Sequence, residues 1–189
     1  TEWLARYRHP LLTEVMALGY SSYFILPLLS AAPAYIPTQK LDGVPRLRHR
    51  RAFSAILTAT VLSLGLGFLG YMLVPARGPR YFLPASKNPL HGTFGYYDWA
   101  ISLWNGMQEV KTDAFPSLHT ATAVLAMGFS LRFARLFAPL PWLCFPLGLS
   151  LILSTVYLRM HYVVDLFAGA AIGLCALYAG AQVEKTEAA

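Results

Sequence analysis

Charge is what this sequence has least of. Only 13% of its 189 residues are charged and 56% are hydrophobic, against about 25% charged in an ordinary soluble domain. A soluble chain of this size buries a core beneath a charged surface, and that surface is missing here. The formal charge of +6 is modest, and the basic residues do not interleave with aromatics, which excludes a nucleic-acid partner. Cysteine is scarce too. Cys144 and Cys175 both fall inside apolar runs, so a disulfide framework or a cysteine-based metal site is excluded in favour of buried, inert thiols. There is no internal repeat and no low-complexity tract. The chain begins at Thr1 without the charged, apolar and cleavage regions of a secretion signal, which leads us to expect a trimmed N-terminus.

What the sequence does have is a series of long apolar runs. An interfacial segment over residues 1–10 carries Trp3, Arg6, Tyr7, Arg8 and His9. Spans are predicted at about residues 11–36, 52–75, 116–133, 140–158 and 161–181. Pro27 and Pro33 are tolerated in the first, because neighbouring helices re-satisfy the freed backbone groups. Gly65, Gly67 and Gly70 in the second, and Gly169-xxx-Gly173 in the last, suit close helix contact. The expected fold is an all-α, polytopic transmembrane helical bundle of about five spans, with six in the full-length protein as the alternative. Residues 1–189 then form a single integral membrane domain, and 76–114 a long extracytoplasmic loop region with an amphipathic piece around Trp99–Trp104.

Topology follows from the cations. The loop 37–51 holds Lys40, Arg46, Arg48, Arg50 and Arg51 against one Asp42, so it faces the cytoplasm; Arg132, Arg135 and Lys185 agree. Alternation of the spans then gathers Arg77 and Arg80, Ser117 and His119, and Arg159, His161 and Asp165 at the opposite face. An ionisable residue in the bilayer costs roughly 2.5–3.5 kcal/mol on insertion scales, so this set needs a purpose. If the chain is helical from His161, Asp165 lies at i,i+4 on the same face and can fix one imidazole nitrogen. The arginines and the helix start at Pro116-Ser117 make an anion site. Two histidines then divide into a nucleophile, His161, and a proton donor, His119.

Phe115-Pro116-Ser117-Leu118-His119 paired with His161-Tyr162-Val163-Val164-Asp165-Leu166 resembles the type-2 phosphatidic acid phosphatase superfamily, whose motifs are broadly K-x6-R-P, P-S-G-H and S-R-x5-H-x3-D. The resemblance covers about residues 75–175. It implies metal-independent phosphoryl transfer through a phosphohistidine: His161 as nucleophile, Asp165 as its orienter, His119 as general acid, and Ser117 as a phosphate ligand. It implies no cofactor, a lipid phosphate substrate and the bilayer as partner. Leu118 replaces the glycine of the second motif. Ser154 matches the third, but Thr155 stands at its arginine position while an arginine appears at Arg159. In the first motif Leu73 occupies the lysine position. The phosphate cations are therefore drawn from Arg77, Arg80 and Arg159. These variants are similar to the branch of inositol phosphorylceramide synthases and their bacterial relatives.

The expected function is hydrolysis of a lipid phosphate or pyrophosphate at the extracytoplasmic face of a bacterial inner membrane. The alternative is transfer of a phospho-head-group to a lipid or polyol. Two other classes fit the same residues: a metal hydrolase using His119, His161 and Asp165 as ligands, and a non-catalytic transporter or lipid-binding protein. Ser117 also reads as an ordinary N-cap, and Arg77 and Arg80 as snorkelling cations. Glu14 reads as interfacial, Lys87, His91 and Lys111 as solvated, and Asp98 and Asp113 as helix caps before partners of the arginines.

Overall fold

The computed structural model describes residues 9–82, 90–108 and 110–187. Arg6 and Arg8 of the interfacial segment, and Lys87, lie outside the described residues. Among the described residues the chain forms six α-helices: α1 (Pro10–Tyr35), α2 (Gly43–Leu73), α3 (Tyr96–Met107), α4 (Leu118–Arg132), α5 (Leu140–Tyr157) and α6 (Val163–Thr186). It is an all-α bundle, with no strand among the described residues. Four of the helices, α1, α2, α5 and α6, are long and apolar enough to cross a membrane, which makes this an integral membrane protein. Their outward faces leave Leu28, Met72, Trp142 and Phe167 exposed, as lipid-facing surfaces do.

Two elements differ from the sequence reading. α2 starts at Gly43, not near residue 52. The apolar run marks where the chain enters the bilayer, whereas arginines are good helix formers and carry the helix about 13 Å further, at 1.5 Å per residue. α4 has 15 residues, about 22 Å of helix, short of the roughly 30 Å hydrocarbon core. The bundle thus has four helices of spanning length plus a short central one. α4 contacts α1, α2, α5 and α6. It buries Leu118, Ala121, Ala123, Leu125, Ala126 and Phe129 around its circumference, as a helix enclosed on all sides must.

Small residues allow that enclosure. A side chain at Gly169 would overlap the Ser117 carbonyl, and one at Gly173 would come within 2.9 Å of the Ala121 carbonyl, so α6 lies directly against the α4 backbone. Across the bundle, Gly67 of α2 receives Leu118.

The amphipathic α3 is fixed to α1 by Glu14. This buried carboxylate accepts the backbone N–H groups of Phe94 at 2.8 Å and Tyr97 at 2.9 Å, and the Ser21 and Tyr96 hydroxyls meet at 2.6 Å. Glu14 is therefore a structural cap rather than an interfacial residue, because it supplies a charged acceptor to the free donors of a helix N-terminus.

Candidate active site

The site is assembled from three short backbone segments before any side chain is considered. Residues 76–80 run beside 113–114, where the Ala114 N–H donates to the Ala76 carbonyl at 3.0 Å. The same stretch meets the turn after α5, where the Arg80 N–H donates to the Arg159 carbonyl at 3.0 Å. That turn closes because the N–H groups of Met160 and His161 both donate to the Thr155 carbonyl, at 2.9 and 3.1 Å. Arg159 adopts φ 62 there, a left-handed conformation uncommon for a residue with a Cβ. Gly78 fits against the Met160 carbonyl only because it lacks a side chain.

These segments place His161 before α6, in the approach to the helix, not within it. Its Nδ1 stands 2.7 Å from the Ala114 carbonyl oxygen. A carbonyl only accepts, so Nδ1 carries the proton and Nε2 the lone pair. The spacing argument gave that nitrogen to Asp165, which stands beside it at a longer distance. The Asp165 Oδ2 is 3.7 Å from Nδ1 and accepts the Tyr162 N–H at 2.7 Å. The carboxylate is thus the cap of α6 and a buried negative charge beside the imidazole, while its own backbone carbonyl accepts the Ser117 N–H at 3.0 Å. That bond joins the starts of α4 and α6.

His119 lies in the first turn of α4, its Nδ1 3.1 Å from His161 Nε2. With Nε2 as acceptor, His119 Nδ1 is the donor of this bond. The His119 ring is held between two tyrosines from α1, with centroids 4.5 Å from Tyr20 and 4.4 Å from Tyr23. At i,i+3 these share one helix face.

Both histidines line a cavity of about 240 Å³. Arg80, Gln108 and Asp113 form a polar part of its wall, and Tyr20, Tyr23 and Tyr71 an aromatic part. The Arg80 Nη2 donates to the Tyr81 hydroxyl at 2.8 Å and to Gln108 Oε1, and Gln108 Nε2 donates to Asp113. Asp113 therefore reaches Arg80 through an amide instead of capping a helix. The Arg80 Nη1 is buried and has no hydrogen-bond partner among the described residues.

The other predicted residues take different places. Arg77 is exposed. Ser117 is fully buried and its Oγ accepts the Thr120 N–H at 3.3 Å as the N-cap of α4. Arg159 is half-buried and contributes its carbonyl to the Arg80 segment. Arg77, Ser117, Arg159 and Asp165 are not among the residues lining the cavity. Sequence reasoning missed Ala114, Gln108, Tyr20 and Tyr23. The i,i+3 tyrosine pair in an apolar helix was the one readable signal; a backbone carbonyl leaves none.

Among known proteins, the family model described as the PAP2 superfamily matches residues 2–179. No curated protein and no solved structure matches the chain.

Proposed function

The chain belongs to the PAP2 superfamily, and from that premise we propose that it hydrolyses a lipid phosphate or pyrophosphate through a phosphohistidine at His161. Membership supports phosphatase or phosphotransferase chemistry in general. The observation that carries the finer reading is the pairing of His161 Nε2 with His119 Nδ1 at 3.1 Å, with the His161 Nδ1–H held by Ala114. One imidazole thereby presents a lone pair and its neighbour a proton.

In the first step His161 Nε2 attacks phosphorus, the bond from phosphorus to the lipid oxygen breaks, and that oxygen takes a proton from His119 in its imidazolium form, which leaves His119 neutral. In-line displacement puts the leaving oxygen across phosphorus from Nε2, so the two rings separate as substrate enters. Water then attacks the phosphohistidine, giving its proton to His119, and inorganic phosphate leaves. The open Arg80 Nη1, in the wall of the same cavity, supplies a donor for the equatorial oxygens, and Asp165 favours the positive charge that develops on His161. A cavity of about 240 Å³ is below the roughly 300–1,000 Å³ that drug-sized ligands occupy. It accommodates a head group while the acyl chains stay in the bilayer. The basic loop 37–51 supports a site at the extracytoplasmic face; the membrane proposed is a bacterial inner membrane.

Purified protein incubated with a panel of lipid phosphates should release inorganic phosphate with or without a chelator, and His161→Ala should release none. Turnover that the chelator abolishes would favour the metal-hydrolase reading. Labelled phosphate or head group appearing on an added lipid or polyol, without free phosphate, would favour the transferase alternative. Unchanged turnover in His161→Ala would refute the mechanism.

A further inference from the structure

The end of the bundle away from the histidines holds a second cavity, of about 270 Å³. Arg48 and Arg51 of α2, Arg132 at the end of α4 and Arg135 in the following turn line it, with Glu184 of α6. It lies 13 residues along α4 from His119, about 20 Å at 1.5 Å per residue, so it is no part of the catalytic cavity. Glu184 accepts a 2.6 Å bond from the Arg132 Nε. One carboxylate thus stands against four guanidinium groups.

The need for cytoplasmic cations requires basic residues near the membrane, not their convergence. Arg46 and Arg50 meet that need on the same helix without lining the cavity. Gathering four like charges from α2, α4 and its following turn against the single Glu184 of α6 is unfavourable unless an anion occupies the space between them. Guanidinium groups match phosphate oxygens two at a time. Phe133 and Leu136 complete the lining, and Leu131 and Leu47, the sequence neighbours of Arg132 and Arg48, are exposed. The occupant therefore brings apolar chains together with its phosphate. We propose that this cavity binds the phosphate head of an anionic membrane lipid in the leaflet opposite the active site, holding α2, α4 and α6 together at that end.

The test compares thermal stability and native mass spectra of the full chain in neutral detergent with added phosphatidylglycerol, phosphatidylcholine or inorganic phosphate. Wild type should retain phosphatidylglycerol and melt higher with it than with phosphatidylcholine. The double variant Arg48→Gln/Arg135→Gln should bind it about 30-fold more weakly, taking about five-fold for each guanidinium removed. Arg46→Gln/Arg50→Gln removes the same charge outside the cavity and should leave binding intact. Equal losses in the two double variants would overturn the site in favour of diffuse attraction. The same stabilisation by inorganic phosphate alone would overturn the lipid assignment, and so would equal retention of both lipids. Should the first double variant fail to fold, Arg135→Gln alone carries the comparison, with about a five-fold loss expected.

Discussion

His161 Nδ1 and the Ala114 carbonyl, 2.7 Å apart, fix the tautomer that leaves the lone pair on Nε2, as the proposed attack requires, and Gln108 positions Arg80 in a comparable way. Its amide takes the Nη2 of the guanidinium on one side and donates to Asp113 on the other, so the carboxylate is kept one residue away from the cation. A direct ion pair would compete with phosphate for the same donors. Gln108→Glu should accordingly raise KM for a lipid phosphate by about ten-fold or more, the worth of one charge-assisted hydrogen bond, with a smaller change in kcat. Steady-state kinetics alongside inhibition by inorganic phosphate would check this, and an unchanged KM and inhibition constant would remove Arg80 as the phosphate donor. The two histidines were legible in the sequence because imidazoles between apolar runs stand out. Gln108 and Ala114 were not, since an amide in a polar loop and a backbone carbonyl look like any other.

Among the elements, α4 and α6 decide the geometry. The Ser117 N–H to Asp165 carbonyl bond ties their starts, and the absence of a side chain at Gly169 lets the backbones meet. Gly169→Val should force the helices apart exactly where His119 and His161 face each other. A loss of about 1–3 kcal/mol of stability, the usual cost of overpacking, should accompany loss of activity well beyond what unfolding explains. A melting curve and a phosphate-release assay below the transition would measure both, and full activity would show that the contact is not needed. The helices themselves were readable from apolar runs, and the Gly169-xxx-Gly173 spacing announced the close contact. The start of α2 and the shortness of α4 were not, because hydropathy reports the solvent around a segment and not its hydrogen bonding. α4 is apolar because protein surrounds it, and a span is apolar because lipid does.

For the whole molecule, the two ends of the bundle carry different charge patterns. One end gathers Arg48, Arg51, Arg132 and Arg135; the other gathers the histidines, Arg80 and Asp113. The positive-inside preference predicts that a cysteine placed at Arg50 in a Cys144→Ala/Cys175→Ala background is shielded in intact cells from an impermeant maleimide. One at Lys111, exposed beside the catalytic end, should react. Inverse labelling would reverse the assigned orientation while leaving the chemistry untouched. That orientation is an expectation the sequence alone supplies, because loop cations are counted and not folded. The cavity lined by the two histidines was not, since it needs residues from α1, α2, α3 and α4 brought around one point.

The central claim is that phosphorus passes through His161. The most direct measurement is a rapid quench of turnover with a substrate labelled in its phosphate, followed by peptide mapping of the protein. The account predicts label on His161 that is stable to base and released by acid, absent from His161→Ala. Steady turnover with no labelled protein, or label on any other residue, would contradict it.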